Sequence, residues 1–231
     1  MVKQHLKRLA SPRTWPIAKK ISVFVARPNP GPHKIQHQIP ITVFLRDMVK
    51  IVQTTKEVKR MLHLKKVFVD GSIIHDNKRP VGLMDVISIP DANLYFRILI
   101  SKKNKLYALP ISEKESKLKL SKLIKKTDLK GGKTQLNTFD GRSILVGDSK
   151  KYPVGSSLII EVPGQKITKV LPMEAGSLVF LEAGSHVGKV GTLETIEGTT
   201  ITVKLDDKVF QTKRRYAIVI GKEKPIITLD K

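Results

Sequence analysis

Lys56, Lys59, Arg60 and His63 stand at spacings of three, four and seven, the offsets that bring side chains onto one face of an α-helix. Three cations and an imidazole in such a row suit anion binding, and a line of phosphates above all. An ordinary solvated helix face interleaves acids with its bases, and this stripe lacks them. Arg46 and Lys50 precede the row, and Lys65 and Lys66 follow it. A second concentration lies in "HLKRLASPRTWPIAKK", residues 5–20, with five Lys or Arg, two prolines, the only tryptophan and no carboxylate. Its candidate contacts are His5, Lys7, Arg8, Arg13, Trp15, Lys19 and Lys20. Lysine is a point charge that suits phosphate better than it reads base edges. Trp15, between Arg13 and Lys19, is expected to stack on an exposed base, an interaction of about 1–3 kcal/mol.

The composition sets the scale of that chemistry. The chain has 231 residues, 43 Lys or Arg against 20 Asp or Glu, and a formal charge of +23. The excess is uneven: +8 over residues 1–40, +4 over 41–90, +10 over 91–170 and +1 over 171–231. A merely solubilising surface would not be so uneven. Such repulsion opposes compaction, and a polyanion relieves it. Nucleic acid is the first candidate, an anionic membrane the second, an acidic protein the third. With 40% apolar residues a core can form, and 5% aromatics favour several small cores over one large one. The absence of cysteine removes disulfides and thiolate metal sites and fits an intracellular protein. No apolar run approaches the roughly 18–20 residues of a membrane span, and "ISVFVA" is too short for a secretory core. The expectation is a soluble protein that stays in the compartment where it is made.

Catalytic and metal chemistry find little support. None of the six histidines forms a helical pair with a nearby carboxylate, and His33 and His37, beside prolines, suit polar or phosphate contacts. "GGKT" at 131–134 ends like a phosphate loop but lacks the upstream glycine, and no Gly-x-Ser-x-Gly elbow occurs. Glu113 and Glu115 are expected on one strand face, as partners for nearby lysines. No cofactor is expected.

The elements that must position the cations read as follows. "RPNPGPH" (27–33) is a stiff, extended connector. Ile41, Phe44, Leu45, Met48, Val49 and Val52 follow a 3.6-residue period and predict an amphipathic helix with Pro40 at its start. Thr54 and Glu57 form a capping box for a second helix, with Val58, Met61 and Leu62 on its apolar side. Asp70-Gly71 predicts a type I′ hairpin, and "VGLMDVISI" (81–89) a turn into a strand. Strands follow at "LYFRILI", "KLYALPI", "SSLIIEV" and "ITKV", with hairpin signals at Gly131-Gly132 and Asp140-Gly141. "SKLKLSKLIKK" (116–126) leans to a strand and a loop, inside a stretch with ten lysines between 102 and 130. "SLVFLEA", "KVGTLETIEG", "TITVKLD", "YAIVIG" and "PIITLD" are the short strands of a small barrel.

Three of these pieces together resemble one family. "HLKRLASPRTWPIAK" looks like the N-terminal signature of the small-subunit ribosomal protein S-four-e family of archaea and eukaryotes, carried by His5, Lys7, Arg8, Pro12 and Trp15. The helix–helix–hairpin stretch is similar to the S-four-type RNA-binding module. "GSHVGKVGTLETIEGTTITVKLD" (184–206) looks like a KOW motif whose turn is His186, Gly188, Lys189 and Gly191. "ARPNPGPH" and "PVGLMDVISIP" look like the family too, and "RPNPGPH" with the chain's end at Lys231 leans archaeal. The last twenty residues match only in outline.

The resemblance implies an α+β, multi-domain fold. Its parts are a basic N-terminal arm (1–40), an S-four-type RNA-binding module (41–93), a central mostly-β domain (94–172), a KOW-type small β-barrel (173–210) and a C-terminal segment (211–231). It implies a non-enzymatic, structural constituent of the small ribosomal subunit in the cytoplasm. Its partners would be small-subunit rRNA and neighbouring ribosomal proteins, with no membrane and no homo-oligomer. The arm would be held by rRNA, threaded between its helices, and the KOW turn would let backbone approach RNA or a neighbouring protein. The rivals are a ribosome-assembly or RNA-modification factor built on the same module, such as a pseudouridine synthase, and a transcription factor using its KOW motif.

Overall fold

A computed structural model of the chain describes residues 5–205 and 208–229. Residues 1–4 of the expected arm, 206–207 of the expected barrel and 230–231 of the expected C-terminal segment lie outside the described residues. Strands dominate and helices are few, so the fold is mixed but mostly β. The chain divides into two compact units, one of residues 1–99 and 104–117, the other of 100–103 and 118–231.

In the first unit β1 (Leu6–Lys7) pairs with β2 (Phe24–Val25), and β3 (Gln38–Pro40) with β6 (Pro80–Gly82). Between them stand α1 (Ile41–Val43), α2 (Thr55–His63), β4 (Phe68–Val69) and β5 (Ser72–Ile73). Then come β7 (Val86–Ile89), β8 (Leu94–Ile100), β9 (Leu106–Pro110) and α3 (Glu113–Ser116). The main sheet has the order β5-β4-β7-β8-β9. Asp70 and Gly71 join β4 to β5 with φ of 49° and 71°, the two positive values a type I′ turn requires. Residues 94–117 therefore complete this sheet rather than open a central β domain at 94.

The expected helix over 41–52 is interrupted. After α1 the chain makes a wider, π-type turn over Phe44–Met48, with the Val49 N–H donating to the Phe44 carbonyl at 3.0 Å. Lys50, at φ 60°, then leaves the helical region altogether. Ile41, Phe44, Leu45 and Val52 still reach the core, so the apolar period reported burial correctly and helix length incorrectly. Glu113 and Glu115 are not on a strand either. Ser112 accepts from the Glu115 N–H at 3.3 Å and starts the one-turn α3. Glu113 pairs with Lys117 at 3.3 Å, and Glu115 with the wholly buried Arg97.

The second unit opens with the long β10 (Leu118–Asp128), a strand where "SKLKLSKLIKK" leaned to one. Next come β11 (Thr134–Thr138), β12 (Ser143–Val146), β13 (Ser157–Glu161) and β14 (Lys166–Leu171), in the order β12-β11-β10-β13-β14. β10 gives its first half to β13 and, past a bulge between Leu123 and Lys125, its second half to β11. Leu123, Leu136, Leu158 and Ile160 are fully buried at the centre. A second antiparallel sheet, β18-β17-β16-β15-β19, is built from β15 (Leu178–Leu181), β16 (Val190–Glu197), β17 (Thr200–Leu205), β18 (Lys208–Lys213) and β19 (Ala217–Gly221). Of "PIITLD", the described residues 225–229 form no strand beyond an isolated bridge between Pro225 and Gly221. The Ile226 N–H turns back on the Ile220 carbonyl at 2.9 Å, around a Gly221 whose added Cβ would lie 2.1 Å from the Lys224 carbonyl oxygen.

Two of the ten lysines between 102 and 130 are internal. Lys119 is 1% exposed and meets the buried Asp140 carboxylate at 3.0 Å, which also accepts from Arg142, Ser121 and Thr138. Burial pushes the Asp140 carboxyl up. Lys119 and the Thr138 and Ser121 hydroxyls more than offset this and hold it below the ordinary carboxylate value. Lys122 donates to the carbonyls of Arg214 (3.0 Å), Arg215 (2.9 Å) and Ala217 (2.6 Å), fastening β10 to the turn that enters β19.

Two outcomes follow for purified protein under denaturant titration. Asp140→Asn removes the buried carboxylate that Lys119 meets at 3.0 Å and should lower the unfolding free energy by about 3–5 kcal/mol. Burial, opposed by Glu182 and reinforced by Arg214, lowers the Lys122 ammonium to about 8 from the ordinary 10.5. Between those values the unfolded chain binds more protons at this site than the folded one, so stability rises with pH across that window. The stability of the native protein minus that of Lys122→Met should grow by roughly 3 kcal/mol from pH 8 to pH 10.5. A flat difference would overturn this assignment.

Candidate nucleic-acid interface

The capping box forms as its residues dictate: Thr54 accepts from the Glu57 N–H at 3.2 Å, and the Glu57 carboxylate accepts from the Gln53 and Thr54 N–H groups. α2 then buries Val58 and Leu62, which turns Lys56, Lys59, Arg60 and His63 outward. All four are exposed. Glu57 is engaged at the helix start, where the backbone N–H of Gln53 and then the Thr54 hydroxyl hold its carboxyl below the usual value. It is therefore committed to the cap and unavailable as a counter-ion one turn away. Among the described residues Lys56, Lys59 and Arg60 carry no ion pair. Lys65 is exposed beside them, in a left-handed conformation at φ 56° that ends the helix. The row gathers four cations and an imidazole on one short surface, the geometry that tracks a phosphate backbone.

Other expected contacts are placed differently. Arg46 lies against Asp47 at 2.8 Å and against the Thr55 hydroxyl at 3.3 Å, and Lys66 pairs with Asp91 at 2.9 Å. Lys50 is exposed at the end of the π-type turn. Trp15 corrects the sequence reading most plainly. Its side chain is 0% exposed, and Nε1 donates to the Gln38 carbonyl at 2.7 Å, so it has no face to offer a base. Around it Thr14 Oγ1 donates to the Gln36 carbonyl at 2.6 Å, and the Leu106 N–H donates to the Thr14 carbonyl at 2.8 Å. Arg8, 4% exposed, donates to the Ala18 carbonyl and to Ser22 Oγ, with Asp47 at 4.0 Å. Lys19 Nζ caps the Ser11 carbonyl at 2.9 Å. The arm is thus pinned within its own unit by these contacts.

What the arm leaves outward is His5, Lys7, Arg13 and Lys20. The connector is pinned as well. His33 is buried with Nε2 3.1 Å from Asp85, and its ring fills the space where a Cβ at Gly82 would come within 2.2 Å of it. Burial, then His33 and Lys34, lower the half-buried His37. His33 thus makes the polar contact that its loop position suits.

The glycine turn of the second unit is likewise occupied. A Cβ on Gly188, at φ 74°, would lie 2.4 Å from the Ser101 carbonyl carbon, and one on Gly191 would lie 2.6 Å from the Lys204 carbonyl oxygen. These glycines serve close approaches within the unit. His186 packs its ring on Phe210 at 4.1 Å between centroids, and Lys189 is half-buried. Sequence reasoning also missed Arg97, Lys119 and Lys122 as interior cations. Arg97 lies in the buried run of β8, and Lys119 and Lys122 in that of β10.

Comparison with known proteins agrees along nearly the whole chain. Residues 92–167 match the model described as ribosomal family S4e, and residues 2–36 match that of the RS4NT (NUC023) domain. The small ribosomal subunit protein eS4 of Methanosphaera stadtmanae is 39% identical over 98% of this chain and 96% of its own length. That of Methanocaldococcus jannaschii is 38% identical, with 98% of each chain covered. The crystal structure of the 30S ribosomal protein S4e from Thermoplasma acidophilum superposes with a TM-score of 0.70 and 29% identity, over 81% of this chain and 96% of that one.

Because Trp15 is the only tryptophan, its fluorescence reports the arm directly. The free protein should show the blue-shifted, poorly quenched emission of a buried indole, and adding rRNA should leave it unchanged. Trp15→Ala should cost about 3–5 kcal/mol and release the arm to trypsin. Red-shifted emission in the free protein that moves only on RNA addition would restore the base-stacking role.

Proposed function

Since the chain belongs to the S4e family of ribosomal proteins, a structural and non-enzymatic family, we propose that it is a constituent of the small ribosomal subunit that binds its rRNA. The observation that carries the RNA-binding part is the unpaired cation row on α2. In this reading residues 41–93 are an S-four-type RNA-binding module, joined by β8, β9 and α3. Lys56, Lys59, Arg60, His63 and Lys65 are its phosphate contacts, with Lys7, Arg13, Lys20 and Lys50 as outlying ones. The sheet of β15 to β19 is read as the KOW element, a near-neutral surface toward RNA and protein neighbours. The protein works in the cytoplasm, on the ribosome.

The mechanism is counterion release combined with shape. With six to ten phosphates neutralised, affinity for RNA falls by roughly 10³ to 10⁵ between 50 and 200 mM salt, on the duplex-DNA scale. The α2 row contributes uniformly across sequences because lysines and arginines on phosphates read no bases.

Two measurements test this. Sedimentation of a native lysate followed by a high-salt wash should leave the protein on mature small subunits at near-unit stoichiometry. Recovery only at the top of the gradient or in precursor fractions would replace a constituent with an assembly factor. In titrations of purified rRNA, Lys59→Gln together with Arg60→Gln should weaken binding and reduce the salt slope by about 2. An unchanged slope would remove α2 from the interface.

A further inference from the structure

We propose that the outer side of the N-terminal arm is a docking surface for an acidic, apolar-centred segment of a neighbouring protein. The inference rests on the ribosomal reading above and concerns the exposed apolar side chains of the arm, to which that reading assigns no contact; Lys7 and Lys20, outlying phosphate contacts there, border them. Leu9, Ile21, Val23 and Phe24 are 69%, 76%, 67% and 53% exposed, in a segment where Trp15 and Val25 are buried and Leu6 and Ile17 half-buried. The backbone brings these residues together. The Arg8 N–H donates to the Val23 carbonyl at 2.8 Å, and Lys7 is the register partner of Phe24, which sets Leu9 close to Val23 at the end of the β1–β2 ribbon. Exposed aliphatic side chains gathered on one small ribbon are an interaction signature rather than a routine surface.

Two features select the occupant. Leu9, Ile21 and Val23 have no π face, so bases cannot stack on them and phosphates cannot desolvate them favourably, while the one aromatic ring of the patch, Phe24, already meets the His5 ring edge-on at 5.2 Å between centroids. An apolar protein surface can. The arm's own rim is cationic: Lys7 and Lys20 are exposed beside the patch and residues 1–40 hold no acid, Asp47 at 4.0 Å from Arg8 being the acid met from outside the arm. A partner whose apolar side chains are flanked by Asp or Glu matches centre and rim together, and it adds charge complementarity to area. The pins at Trp15 and Arg8 hold the ribbon in place beforehand, which lowers the ordering cost of docking.

The test is site-specific photo-crosslinking in assembled particles. Val23 is replaced by p-benzoylphenylalanine, salt-washed small subunits are isolated and irradiated, and the adducts are identified by mass spectrometry. The expected product is a peptide of one other protein carrying Asp or Glu within or beside the cross-linked apolar stretch. Loss of that product on adding Ile21→Ser, with buried-indole fluorescence retained as the folding control, completes the expectation. Adducts to nucleotides, to a peptide without acidic residues, or to nothing would overturn the proposal. Absence of the protein from the subunits before irradiation would instead count against the ribosomal reading, so the two failures are told apart.

Discussion

Carboxylates are the scarce resource of this molecule, with 20 set against 43 basic residues, and their placement governs the rest. Several of the few acids are turned inward. Asp140 meets Lys119, Glu115 meets Arg97, Asp85 meets His33, and the Asp70 carboxylate accepts from the Val86 N–H at 3.0 Å. A buried cation without a partner costs several kcal/mol, so Asp140 and Glu115 are fixed by the Lys119 and Arg97 they serve, while Asp85 and Asp70 are held by an imidazole and a backbone N–H. Acids committed inside are unavailable outside. The exposed cations of α2 are therefore a consequence of the interior as much as of helix amphipathicity. A chain with this ratio of bases to acids cannot satisfy both its buried cations and its surface.

Local patterns were legible in the sequence, and tertiary commitments were not. The capping box at Thr54, the exposed row on α2 and the Asp70-Gly71 turn each lie within seven positions along the chain, where propensity and spacing decide the outcome. α1 failed at its end because the wider turn at Phe44–Met48 and the left-handed Lys50 leave the apolar period intact. Glu113 and Glu115 looked like alternating strand residues because alternation over three positions is too short to outweigh a Ser112 cap. Trp15 was misread for a different reason. An indole beside cations suits both a base and a core, and only the Gln38 carbonyl, 23 residues away, decides between them.

The lysine-rich stretch carries the same lesson in another form. Counting ten lysines between 102 and 130 assumes that each faces water, yet β10 is covered along Lys119 to Leu123. Among the described residues Lys122 has no ion pair in contact and holds three backbone carbonyls instead, which satisfies hydrogen bonding but not charge. That difference explains why its ammonium is lowered while the Asp140 carboxyl beside Lys119 stays ionised. One strand thus carries two buried lysines solved in opposite ways. Composition read by sign alone could distinguish neither.

The arm joins these threads. A segment of 40 residues with no acid cannot fold onto its neighbours by ion pairs of its own making. It uses what remains: an indole N–H, a threonine hydroxyl, and a guanidinium that borrows carbonyls and, at 4.0 Å, Asp47. Each of these pins consumes a side chain that would otherwise point outward. The residues left on the outer side are the ones the interior had no use for, namely unpaired cations and aliphatic side chains. An arm ordered in this way meets its partners without first losing the conformational freedom of a free tail, a cost of about 1–2 kcal/mol per backbone residue fixed. The pins inside and the contacts outside are therefore two faces of one sorting, set by a segment that has cations to spare and no acid to neutralise them.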